Sequence, residues 1–159
     1  MTAIDDKQEF ARDWDWYAVD PDGNIGHFTT AGLRPLPKSV KQDLEAAEAL
    51  DEHFQERAVP VGGSLIREAV EADAGGWKNS TARERYLKSF DEMAQKGLFS
   101  YNTQLVHSTD AKYYLVARPE KPLRAADLPG EVRNLLERTR SPVRFGETVY
   151  LPEATTETW

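Results

Sequence analysis

The sequence predicts an α+β domain: an antiparallel sheet built from hairpins, with three to four helices packed on it. Three observations lead there. Strand-like segments come in neighbouring pairs, at residues 14–30, 98–118 and 143–151, rather than singly between helices. Helical apolar periodicity is confined to the stretches between those pairs. The chain has 159 residues, 40% hydrophobic and 10% aromatic, enough for one core without disulfide or metal. A single domain over 1–159 follows, with flexible ends expected at 1–12 and 152–159. No internal repeat or low-complexity tract is present.

The first pair is "WDWYAV" and "IGHFTT", rich in aromatic and β-branched residues. "DPDGN" joins them, with Asp20 and Pro21 suited to a type I turn and Gly23 to the left-handed residue after it. Alternation puts Trp14, Trp16 and Ala18 on one face and Tyr17 and Val19 on the other. Both faces therefore need cover, from this chain or from a partner. "AGLRPLPKS" then reads as a loop. Ser39 with Gln42 forms a capping box for a helix over 40–57, whose apolar face is Val40, Leu44, Ala47, Leu50 and Phe54.

Pro60, Gly62 and Gly63 end that helix, and Ser64–Asp73 is expected as a short one with Leu65, Ile66, Ala69 and Val70 inward. Thr81 and Glu84 box the next, which buries Tyr86, Leu87, Phe90, Met93 and Ala94 and stops at Gly97. "LFSYNTQLV" and "KYYLVAR" form the second strand pair, joined by "HSTDA". Asp127 is expected to cap a last helix with Pro129 in its first turn and Leu128, Val132, Leu135 and Leu136 inward. "VRFGETVYL" suggests a final hairpin turning at Gly146 and Glu147, before a tail.

Composition narrows the chemistry. There is no Cys, which removes disulfides, thiolate catalysis and Cys-ligated zinc. The net charge of −7 argues against a general nucleic-acid backbone binder and suits solubility or a basic protein partner. "MTAIDDKQEF" carries no apolar leader segment, and no apolar run approaches a membrane span. The expected setting is cytoplasmic, with no membrane partner.

Asp20, Asp22 and Asn24 have the spacing that opens a calcium loop. The required Gly and Glu positions hold Ile25 and Ala31, so turn chemistry explains them better. His27, His53 and His107 form no metal-binding pair on a helix, and no metal or cofactor is indicated. His27, among aromatics, is the histidine to watch. No nucleophile elbow or phosphate-binding glycine motif occurs, and Gly62-Gly63-Ser64 fits a turn with an N-cap better than an anion site. No catalytic residue is assigned.

The segment 40–57 carries a more informative pattern. Glu45, Glu48, Glu52 and Glu56 recur at spacings of 3, 4 and 4, a carboxylate stripe opposite the apolar face. Like charges at this spacing cost an isolated helix roughly 0.2–0.5 kcal/mol per pair. The stripe is either a solvated face or an acidic docking surface.

Two segments also carry a resemblance. "WDWYAVDPDGNIGHFTTAG" with its Pro-containing exit, and "YYLVARPEKPLRAADLPGEVRNLL", cover Trp14–Pro37 and Tyr113–Leu136. Together they are similar to bacterial immunity-type proteins encoded beside polymorphic or contact-dependent toxins. Leu33 and Arg34 follow the Ala-Gly pair where such proteins often carry further glycine, so nothing functional is carried over to that loop. The resemblance implies no catalytic residues and a cognate toxin domain as partner, bound and neutralised. If the toxin is a nuclease, carboxylates standing in for phosphates would fill its basic cleft. The candidate contacts are Glu45, Glu48, Glu52 and Glu56, with Trp14 and Trp16 either aromatic anchors or core residues. The competing expectations are a small hydrolase using His27 or His107 with a nearby Asp, and a general interaction adaptor.

Overall fold

The hairpin at residues 14–30 forms as its turn chemistry dictates. In the computed structural model, which describes residues 2–32, 34–57, 62–66, 80–103, 113–151, 156 and 159, β1 (Asp15–Val19) pairs antiparallel with β2 (Ile25–Thr29). Gly23 takes φ +83°, as the bulged turn requires. The Asp20 carboxylate accepts from the backbone N–H of Asp22 at 2.9 Å, of Asn24 at 2.8 Å and of Phe145 at 2.9 Å. It is thus consumed by the fold, which is why this loop organises a turn.

Next come a one-turn helix α1 (Asp6–Glu9), placed before the hairpin, then α2 (Lys38–Lys41) and α3 (Leu44–Glu56) after it. The expected cap of the long helix is corrected here. Pro37 opens α2, and the chain then restarts at Asp43, whose side chain accepts from Ala46 N–H and caps α3. Ser39 lies inside α2, and its hydroxyl meets Thr139 Oγ1 and the Trp159 carbonyl, each at 2.7 Å.

Gly63–Leu65 is a strand, β3, rather than the start of a helix. A Cβ on Gly63 would stand 2.6 Å from the Ala94 Cβ. The glycine is therefore there so that the strand can pass beneath a helix. Residues 67–73 of the expected helix lie outside the described residues. That covering helix is α4 (Ser80–Gln95), already helical one residue before the expected cap Thr81. It buries Leu87, Phe90, Met93 and Ala94 as the periodicity predicts, and the chain turns at Gly97, φ +97°.

β4 (Phe99–Thr103) and β5 (Tyr113–Pro119) pair antiparallel; "HSTDA" between them lies outside the described residues. A 3-10 turn (Ala125–Asp127) and α5 (Gly130–Leu136) follow. Pro129 stands at the N-cap of α5 while Asp127 folds back to accept from Arg124 N–H, so the proline sets the helix start by its fixed φ. The final hairpin does not form. Gly146 turns with φ +83°, but the flanking residues pair elsewhere: Arg140 bridges Val19, and Tyr150 bridges Tyr114.

The five strands form one sheet ordered β1-β2-β4-β5-β3. The α+β class holds, but the sheet is mixed rather than antiparallel throughout. β2 and β4 run parallel, because the chain leaves β2, crosses through the helices and returns beside it in the same direction.

Both sheet faces are covered by the chain itself. On one, Trp16 stacks on Phe28 at 4.2 Å and Phe28 on Tyr101 at 5.0 Å, with Ile4, Leu36, Val40, Phe145 and Leu151 closing over them. On the other, α3 and α5 supply Leu50, Phe54 and Leu136 to Tyr17, Val19 and Ile25, while α4 supplies Leu87, Phe90 and Ala94 to Tyr114 and Val116. Described residues of the two ends, expected to be flexible, contact the rest of the chain. Ile4 is buried, Glu9 accepts from Leu36 N–H and pairs with Lys41, and Trp159 packs edge-on to Trp16 at 6.1 Å. Among the described residues no helix is long and apolar enough to cross a membrane.

Candidate functional site

The first half of the site is built by α3. Asp43 fixes its start, and the apolar residues Leu50 and Phe54 fix its rotation against Tyr17. Its C-terminal carbonyls are held by Lys96, whose buried ammonium donates to Phe54 O at 3.0 Å and Gln55 O at 2.9 Å. A cation suits that end, where the helix dipole and unpaired carbonyls are negative. Rotation set this way leaves Glu45, Glu48, Glu52 and Glu56 exposed on one stripe.

The four are not equivalent. Glu45 accepts from Thr2 N–H at 2.8 Å and Thr2 Oγ1–H at 2.6 Å, and these bonds pull its pKa down to about 2. It tethers the N-terminal segment. Glu48 faces Arg12 at 3.6 Å. Glu52 and Glu56 make no ion pair among the described residues.

Below the stripe, β1 begins with carboxylates of its own. Asp13, Asp15, Glu48, Asp51 and Glu52 line a groove of ≈ 240 Å³ with Arg12, Trp14 and Ala47. Asp51 accepts from Tyr17 O–H at 2.8 Å, and burial together with Asp51 pushes the Tyr17 phenol well above its ordinary value. Asp13 accepts from Ala31 N–H at 2.7 Å; burial, then that bond's opposing pull and the neighbouring Asp15 charge, leave its pKa raised.

Asp13 and Asp15 also border a second cleft, of ≈ 320 Å³, between the end of α3 and α4. Its floor is a polar stripe on the helix-covered face of the sheet. His27 Nε2 meets Asp15 Oδ1 at 2.6 Å and His27 Nδ1 meets Ser100 Oγ at 2.8 Å. One row along, Thr29 donates to Asn102 Oδ1, Asn102 Nδ2 donates to Tyr86 OH, and Tyr86 bonds to Tyr114 OH.

This Asp–His–Ser row is held together by hydrogen bonds within the sheet. Ser100 is fully buried, and both ring nitrogens of His27 are engaged, so within this row neither the serine nor the imidazole is free to act as nucleophile or base. The ring is also reversed relative to the usual serine-hydrolase arrangement, with the carboxylate on Nε2 and the serine on Nδ1. His107 lies outside the described residues. Among the described residues no group of His, Asp and Glu is placed to hold a metal ion.

The two tryptophans are core residues in this structure. Trp16 is 2% exposed, stacked on Phe28, and its indole N–H donates to Tyr113 OH. Trp14 is 5% exposed, with its indole N–H on Gln8 O and the Arg12 guanidinium 3.6 Å above its ring. Trp16 is therefore no surface anchor, while Trp14 reaches the groove wall beneath Arg12.

The structure thus brings Glu48 and Glu52 together with Asp13, Asp15 and Asp51, and leaves Glu45 and Glu56 toward the two ends of α3. Asp13 and Asp15 escape the sequence reading because they come from a different periodicity, whereas Asp51 lies on α3 itself, outside the run of Glu residues. Strand alternation puts Asp15, His27, Thr29, Ser100 and Asn102 on one face, and that run of polar side chains on a face otherwise buried is the signal. No family model, no curated protein and no solved structure matches this chain.

Proposed function

We propose that this chain is an immunity-type protein that binds a cognate toxin domain and neutralises it, using the acidic groove between α3 and the start of β1 as its docking surface. The observation that supports the reading most is the convergence of Asp13, Asp15, Glu48, Asp51 and Glu52 on one groove whose lining, among the described residues, offers a single cation, Arg12. Carboxylates gathered this way on a chain of net charge −7 raise the local concentration of a basic partner and speed its encounter. A nuclease-type toxin has such a basic cleft, since it must hold phosphates. The expected setting is the cytoplasm of the cell that makes the toxin.

The test is to co-express the chain with the toxin domain encoded beside it and to measure binding of the purified pair. Tight binding with loss of toxicity is expected. A toxin that stays active and unbound would refute the proposal.

A further inference from the structure

The groove already holds a guanidinium. Arg12 lies with its Cζ 3.6 Å from the centroid of the Trp14 ring, and its Nη2 stands 3.6 Å from Glu48 Oε1. The platform beneath it is fixed independently, because the Trp14 indole N–H is bonded to Gln8 O and its backbone N–H to Thr30 Oγ1. Around this stack stand Asp13, Asp15, Asp51 and Glu52. Arg12 answers one carboxylate at long range and leaves those four without an ion pair to it.

Arg12 itself is weakly held. Its side chain is 53% exposed, and Glu48 is exposed as well. An exposed pair at this distance contributes little, and the stack on Trp14 contributes modestly. The segment carrying Arg12 is a short connection between α1 and β1. A fixed aromatic face, an acidic rim and a loosely held arginine together describe a site whose natural occupant is a planar cation.

We infer that this groove is a guanidinium seat, filled by Arg12 in the free protein and taken over by an arginine side chain of a bound protein partner. The inference deepens the proposed function and rests on it for the partner's identity, but not for the chemistry of the seat. Arginine is selected over lysine because a flat guanidinium stacks on indole while offering its edge N–H groups to carboxylates, which a compact ammonium cannot do at once. Arg12 acts as an internal competitor: it shields Trp14 from water until the partner arrives, and its departure frees Glu48 for the incoming side chain.

The probes are a tetra-arginine peptide, a tetralysine peptide and free arginine, titrated against the whole chain while following the indole N–H signal of Trp14 by NMR. The proteins are the native chain, Arg12→Gln, and Lys121→Gln as a control that removes the same charge from an exposed position outside the groove. Tetra-arginine should shift the Trp14 signal and bind several-fold more tightly than tetralysine or free arginine. Arg12→Gln should tighten it by about fivefold, the factor expected for removing a weak ion pair and stack that compete for the seat. Lys121→Gln should leave it unchanged.

Equal binding of the two peptides, equal effects of the two substitutions, or an unmoved Trp14 signal would each overturn the seat. Free arginine binding as tightly as the peptide would overturn the assignment to a protein partner. None of these measurements uses the toxin. Peptide binding without toxin neutralisation would count against the proposed function alone, and neutralisation without peptide binding against the seat alone.

Discussion

His27 and Glu45 show how little a residue's type says about its task until its partners are known. His27 sits in a strand among aromatics, a position from which sequence suggests either packing or chemistry. Its two ring nitrogens join Asp15 to Ser100 across three strands, so it is a cross-strand tie. His27→Leu would leave a buried serine hydroxyl without its partner, and should cost about 2 kcal/mol in urea unfolding. Glu45 belongs by spacing to an acidic stripe, yet it is the anchor for Thr2. Its pKa is depressed from 4.5 to about 2. A depressed carboxylate stabilises the fold above its unfolded value and loses that contribution as pH falls through its folded one. The Thr2 tether should therefore loosen between about pH 4.5 and about pH 2. The Thr2 amide signal should report this, and Glu45→Gln should abolish the pH dependence in that window. Asp13 has the opposite sign. Its raised pKa means that charging it as pH rises is unfavourable in the fold, so Asp13→Asn, which keeps an acceptor for Ala31 N–H, should raise the melting temperature at neutral pH.

At the scale of the element, local chemistry was legible wherever a turn or cap depends on neighbouring residues. Asp20, Pro21 and Gly23 set the first hairpin, and the apolar spacing of Leu87, Phe90, Met93 and Ala94 set α4. The misreadings share a cause. Ser39, the Gly62-Gly63-Ser64 stretch and Gly146 carry local signals for a cap, a turn with an N-cap and a hairpin, but each is used for a distant contact: Ser39 with Thr139, Gly63 under Ala94, and Gly146 N–H on Tyr101 OH. Such contacts have no signature at short range. The same holds for the end of α3, which is completed by Lys96 from the turn after α4. Lys96→Met should remove both donors while keeping the apolar stem. It should cost about 2 kcal/mol in chemical denaturation, the scale of hydrogen bonds from a charged group. If α3 then frays, amide exchange should rise first at its last turn.

At the scale of the molecule, the α+β class could be read from the order of the elements, but the sheet order could not. Whether β4 enters beside β2 or beside β1 depends on how α3 and α4 pack, which no local pattern encodes. That placement makes β2 and β4 parallel neighbours. The groove is a product of the same placement. The stripe on α3 follows from a period near 3.6, and Asp13 and Asp15 follow from a period of 2. Only the packing of α3 against β1 brings the two sets together. The proposed docking surface is therefore half legible: Glu48 and Glu52, with Asp51 between them on the same helix, follow from helical spacing, and Asp13 and Asp15 join them only in three dimensions. Burial of Trp16 within the chain's own core likewise needed the closing segments around Ile4, Phe145 and Trp159.

The most direct test of the central claim is the salt dependence of association between this chain and the proposed toxin partner, with and without charge reversal on α3. Glu48→Lys with Glu52→Lys replaces two exposed carboxylates of the groove and touches no buried group. By electrostatic steering the association rate should fall by about tenfold or more at low salt, and the difference should shrink as salt is raised. An association rate that is the same for the native and reversed proteins at low salt would contradict the claim that this acidic groove is the docking surface.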